Sequence, residues 1–177
     1  MKRLATALFI LMVCTPIVEG ASGADAGAGL ATKKKALVFS TWEGFEGDKC
    51  ASIWLIKRFI DSDAVIKFFP KGEVIKEGIP FDIPDAKFRR YHNMSTFESL
   101  LKYYKLNDPR LVFIGKVIHD MEVNIWEKKL YPETKRVMDE INNIIRNSNK
   151  AGDIIEKSNQ FFDRFYRRIS QCCLERR

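Results

Sequence analysis

The chain has 177 residues, 46% of them hydrophobic, with 30 Lys and Arg against 23 Asp and Glu for a net charge of +7. That is enough chain for one domain with a real core. A basic balance raises nucleic acid as a partner, but no aromatic-basic RNA-binding motif, helix-turn-helix signal or zinc-finger spacing accompanies it, so none is expected.

In chain order, Met1-Lys2-Arg3 supplies a positive start, residues 4–18 an apolar run broken by Pro16, and residues 21–26 a tail of small residues. This is the pattern of an export signal cleaved after Ala26, with Gly20 as the alternative point. The run is short for a membrane span, so no stable membrane insertion is expected after its removal. Leu11-Met12-Val13-Cys14 is a poor lipoprotein box, because Val13 stands where Gly or Ala is wanted. Residues 1–26 therefore read as a cleaved signal peptide, 27–35 as a flexible linker and 36–177 as a single domain, exported to the periplasm. The charge survives processing, since Lys2 and Arg3 leave with Glu19 and Asp25. On an exported protein it points to a small inorganic anion or an anionic surface. Cys14 leaves with the signal, and Cys50, Cys172 and Cys173 form an odd set that permits at most one internal bridge. Spacing does not choose between a bridge from Cys50 to Cys172 or Cys173 and a Cys50 that simply packs.

Residues 36–42 are apolar and β-favouring and read as a strand. Gly44 and Gly47 bracket a loop, and residues 48–61 follow as a helix whose apolar positions cover most of its circumference. Asp48 stands at the N-cap position, and Lys57 and Arg58 load the last turn. Residues 64–69 give a second strand, closed by Pro70 and Gly72, and strand–helix–strand suits a parallel pair. Residues 78–84 are held extended by prolines, and residues 87–92 suggest a short third strand. Ser95-Thr96-Phe97-Glu98 has capping-box spacing, and Asn107-Asp108-Pro109 opens a helix that buries Leu111, Ile114, Ile118 and Met121. A break at 126–132, a helix over 133–146, a turn at 147–152 and a final helix with Phe161, Phe162, Phe165 and Tyr166 on its apolar stripe complete the chain. The fold class is α+β: a small sheet of two or three strands packed by a mainly helical C-terminal half.

Three groups of residues carry chemistry. In His119-Asp120-Met121-Glu122, His119 and Glu122 share a helix face, and Asp120 reaches from the flank. One imidazole with carboxylates suits a divalent metal, Zn, Fe or Mn, with Glu98 and His92 the nearest further ligands by type. A helix end with His119 on the dipole and solvated acids gives the same pattern. Lys87, Arg89, Arg90 and His92 form a basic stretch in which arginine forks fit an oxyanion, helped by amides at the start of the Asp48 helix. A solvated strand edge reads the same way. Cys50, beside Lys49 in a first helical turn, favours thiolate if exposed, and otherwise packs.

Four segments, in order, resemble the chromate resistance exported protein family, the type with a chromate resistance protein B C-terminal domain. They are Trp54-Leu55-Ile56-Lys57-Arg58-Phe59-Ile60-Asp61, then Pro80-Phe81-Asp82, then Thr96-Phe97-Glu98, and finally Leu106-Asn107-Asp108-Pro109 with Val117-Ile118-His119-Asp120-Met121-Glu122. The departures are Lys49 for a family Arg, Arg90 for a family His, Ser95 for a Cys and Glu122 for an Asp. The resemblance implies an exported or regulator-attached domain in chromate resistance. This sequence shows no regulatory region, so a transcriptional role is not carried over. The expectation is a non-enzymatic binding or accessory domain for an oxyanion or metal ion. Its metal side would be His119, Asp120, Glu122 and Glu98, its anion side Lys49, Arg58, Arg90 and His92, with Asp48 at the helix entrance. A metal-dependent enzyme using Glu98 or Asp120 as base, and an envelope interaction domain with no small-molecule site, are the alternatives.

Overall fold

The computed structural model describes residues 35–169 apart from Ile125 and Glu127. The export signal, its cleavage points, residues 27–34 of the linker, and Cys172 and Cys173 lie outside the described residues.

Strands β1 (Val38–Trp42), β2 (Val65–Phe69) and β3 (Ile79–Pro80) form one parallel sheet in the order β2-β1-β3. The register runs from Val38 opposite Val65 to Trp42 opposite Phe69 on one side, and pairs Phe39 with Ile79 on the other. As the middle strand of a parallel sheet, β1 is covered on both faces, and Phe39, Ser40 and Thr41 are fully buried. The third strand is not residues 87–92, as their pattern suggested, but the proline-bearing segment before them. Residues 87–92 take part only in isolated bridges, Phe81 with Phe88 and Tyr91 with Met94. Pro80 has no N–H to donate, which an edge strand tolerates. Gly78 turns the chain into β3 at φ +77°, and a Cβ there would lie 2.9 Å from the Val38 carbonyl. Only glycine lets β3 come this close to β1.

Helix α1 (Gly47–Leu55) is buried at every residue, and the chain continues as a π-helical turn over Ile56–Ile60. It ends where the Asp61 N–H bonds the Ile56 carbonyl at 2.9 Å and Asp61 Oδ2 accepts from the Leu37 N–H at 2.7 Å, tying the helix back to the start of β1. Helices α2 (Thr96–Tyr104), α3 (Pro109–Glu122), α4 (Pro132–Arg146) and α5 (Ala151–Arg168) complete the fold. The local signals act as read: Ser95 and Glu98 form a reciprocal capping box on α2, and Asp108 caps α3 with Pro109 in its first turn.

The core gathers around α1. Trp54 is fully buried, with Phe59, Phe97, Phe162 and Tyr166 ringed around it at centroid distances of 5.2 to 6.5 Å. Its indole N–H donates to Asp163 Oδ1 at 2.8 Å, so the polar end of the ring is satisfied on α5. Cys50 is buried in this core, where desolvation pushes its thiol up to about 12, which makes it a packing residue and not a nucleophile. Among the described residues no helix is long and apolar enough to cross a membrane.

Candidate functional site

The sheet has one topological switch point. From β1 the chain crosses to β2 at one edge, then passes to β3 at the other, so a crevice opens beyond the carboxyl ends of β1 and β3. Ligands of open parallel sheets bind at such points. Two lobes of about 350 and 430 Å³ lie there, sharing Glu46, Asp82 and Pro84. The first is closed by the β1–α1 loop (Trp42 to Glu46), Lys49 and Lys71, and the second by Ile83, Arg89 and Arg90.

Buried charges form the walls. Lys49, in the first turn of α1, donates from Nζ to the Trp42 and Gly44 carbonyls, both at 2.9 Å, and stands 3.6 Å from Asp82 Oδ2. The ammonium therefore fixes the β1–α1 loop. Asp82 sits at φ +53°, a left-handed conformation unusual outside glycine. Its Oδ1 accepts from the Thr96 hydroxyl at 2.8 Å, while Oδ2 is buried with no hydrogen-bond partner although the residue lines both lobes. Burial raises the Asp82 pKa, against the lowering effect of Lys49.

Asp48 does not cap its own helix. Glu46 occupies the N-cap position without a side-chain bond, and Asp48 lies inside the first turn. Its carboxylate accepts instead from the Thr96 and Phe97 amides at 2.6 and 2.9 Å. It thus satisfies the N-terminus of α2 from a distance, where buried amides would otherwise lack partners. Complete burial, followed by the neighbouring Asp82 charge, raises its pKa to about 7.

Arg90 bridges two acids. Its Nη2 lies 2.8 Å from Glu122 Oε2 and 3.3 Å from Glu46 Oε2. Glu122 Oε1 in turn accepts from the Asp48 N–H at 3.3 Å, occupying one of the α1 amides. At Gly47 a Cβ would meet the ends of the Met121 and Glu122 side chains, Glu122 Oε1 at 3.0 Å, and these would have to swing aside. Neither Nε nor Nη1 of Arg90 meets a protein acceptor among the described residues. Arg89 is steadied by the Ala86 carbonyl at 3.1 Å and by the Tyr91 ring.

The remaining sequence candidates separate. Glu98 Oε2 accepts from the Ser95 N–H at 2.8 Å and meets His119 Nδ1 at 2.8 Å. Asp120 points elsewhere, accepting from Asn124, the Leu130 and Tyr131 amides and the Thr134 hydroxyl, which pins the α3–α4 connection. His119, Asp120, Glu122 and Glu98 therefore do not fit a metal as one ligand set, and among the described residues no three His, Cys, Asp or Glu side chains gather to hold one. Arg58 lies nine residues along from Lys49, roughly 13 Å at helical rise, and pairs with Asp163 at 3.0 Å. His92 is exposed and lines neither lobe, and Lys87 covers the Tyr103 ring. The structure thus brings together Asp48, Lys49, Arg90 and Glu122, and adds Glu46 and Asp82, which sequence reasoning missed. An acid at the end of the extended Pro80-Phe81-Asp82 segment, beyond a strand of a parallel sheet, was the available signal.

A small α+β domain with a charged crevice at the switch point of its sheet is the class these observations define. Residues 39–169 match the family model described as ChrB, C-terminal domain, and the chain belongs to that family, a chromate-resistance-type protein. No curated protein and no solved structure matches it.

Proposed function

We propose that this chromate-resistance-type protein works in the periplasm as a non-enzymatic binding or accessory domain that takes a small tetrahedral oxyanion in the switch-point crevice. The observation that carries the reading is Arg90: two acids hold its Nη2 in place, and its remaining N–H donors stand at the crevice wall without protein acceptors. A guanidinium fork offers an oxyanion paired donors. Arg89 adds positive charge to the same lobe. Chromate, sulfate and phosphate share the tetrahedral shape, so the crevice accepts the class and not one member by shape alone.

Equilibrium binding of chromate and sulfate to residues 27–177, with Arg90→Ala beside the parent, tests this reading. Saturable binding that Arg90→Ala weakens supports it, and absence of saturable binding of either anion removes it. Because Asp82 lines the crevice and burial raises its pKa, its protonation as pH falls removes a negative charge beside the anion, and sulfate affinity is expected to rise.

A second reading, a divalent metal (Zn, Fe or Mn) at His119, is favoured by the Glu98–His119 pair. A carboxylate on one ring nitrogen orients the other toward a metal. Such a site needs ligands from elsewhere, because Asp120 and Glu122 are engaged as described. Retention of metal by purified protein, lost in His119→Ala, is the outcome that would favour it. Enzymatic use of that metal would further require turnover that fails with the same variant.

A further inference from the structure

A second cationic site lies away from the crevice, in the groove between α4 and α5. A cavity of about 160 Å³ there is lined by Arg136 and Glu140 of α4 and by Phe161, Arg164, Phe165 and Arg168 of α5. The spacing explains the convergence: 136 and 140 are one turn apart on α4, and 161, 164, 165 and 168 share one face of α5. Phe161 and Phe165 stack at 6.1 Å and are nearly buried, so the floor is apolar and offers few competing acceptors. None of the three arginines makes a hydrogen bond, ion pair or ring contact among the described residues. The neighbouring Arg167 of α5 does find a partner within the protein, the Asp163 carbonyl at 3.2 Å.

Placing Arg164 and Arg168 one turn apart, opposite Arg136, is unfavourable for an isolated fold, since like charges at that spacing repel. Three guanidiniums less one carboxylate leave a charge of +2 around the cavity. We propose that this groove binds a tetrahedral dianionic group, with Arg136, Arg164 and Arg168 supplying the donors and Glu140 limiting the charge to that of a dianion. The source is either a free inorganic ion or the phosphate of a larger molecule, and the two share this chemistry. The proposal is independent of the crevice reading.

The test uses residues 27–177 at constant ionic strength, titrated with inorganic sulfate, inorganic phosphate and glycerol phosphate, following binding calorimetrically and by thermal shift. Arg164→Ala is expected to weaken binding at this site roughly tenfold, the loss of one charge-assisted contact, and Arg90→Ala to leave it unchanged. Glu140→Gln is expected to tighten it. Preference for the inorganic ions assigns the site to a free anion, and preference for the ester to an attached phosphate. Binding unaltered in an Arg136→Ala, Arg164→Ala double variant overturns the proposal, as does thermal stabilisation no greater than chloride gives. Because these arginines are exposed, the variants are expected to fold, and an unchanged far-ultraviolet circular dichroism spectrum checks it.

Discussion

The two ends of α1 do opposite work. At its carboxyl end, Trp54, Arg58 and Asp61 reach three places in the scaffold: the aromatic core, Asp163 on α5, and the Leu37 amide before β1. These contacts are satisfied within the protein, and they hold the helix against the sheet and α5. At its amino end, Asp48 and Lys49 are buried, as Trp54 is and Arg58 is not, yet their surroundings are not closed. Asp82 Oδ2 has no hydrogen-bond partner there, with Lys49 Nζ 3.6 Å away, and two cavities adjoin the residue. The recognisable Trp54-to-Asp61 signature is therefore the mounting of the site, and the chemistry stands at the other end of the same helix.

That contrast can be broken most severely at Trp54. Trp54→Ala is expected to lower unfolding free energy by about 3–5 kcal/mol, the range for deleting a large core aromatic. Urea denaturation measures it, and a loss below about 1 kcal/mol would contradict a scaffold role at this end.

Next comes Asp48. Asp48→Asn keeps one acceptor for the two α2 amides and turns an NH₂ toward the other, and is expected to cost about 1–3 kcal/mol. Its pH dependence sharpens the comparison. The carboxyl is raised from 3.8 to about 7, so the folded protein holds this proton more tightly than the unfolded chain. The stability so gained is fully present below about pH 4, the unfolded value, and is lost as pH rises through about 7. Denaturation curves between pH 4 and 8 should therefore slope downward for the parent and less steeply for Asp48→Asn, with the variant's deficit larger at pH 5 than at pH 8.

Arg90→Ala is expected to weaken sulfate binding in the crevice roughly tenfold, and Arg90→Lys to restore little, because an ammonium lacks the planar fork. Full recovery by Lys would show that charge alone matters. The smallest effect belongs to Arg58→Ala. Its ion pair with Asp163 is exposed, so less than about 1 kcal/mol should be lost and crevice binding should not change.

What the sequence discloses divides by distance along the chain. The Ser95–Glu98 box and the Asp108-Pro109 start act within one helical turn, so their residue types suffice to read them. Trp54 is legible as core because apolar periodicity reports burial directly. Asp48 is not legible in its true role, since an acid before a helix looks like a cap whether it caps that helix or one 48 residues away. Asp82 is missed because its left-handed backbone and its orphaned oxygen exist only once β3 lies beside β1. His119 and Asp120 are adjacent in sequence and similar in promise, yet rotation along α3 sends one to Glu98 and the other to the α3–α4 connection. The third strand falls at 79–80, where Gly78 lets the chain close on β1, while the basic stretch that follows makes only isolated bridges.

Gly78 sets a limit on how the crevice can evolve. Its left-handed backbone and the Val38 carbonyl 2.9 Å from where a Cβ would stand leave no room for a side chain, so the spacing of β3 from β1, and with it the place of Asp82, is fixed by an absence of atoms. Variation that retunes anion preference is therefore expected at the rim, at Glu46, Arg89 and Arg90, and not at position 78. A saturation library sorted for stability would display that asymmetry as a near-empty column at 78 beside tolerant ones at the rim.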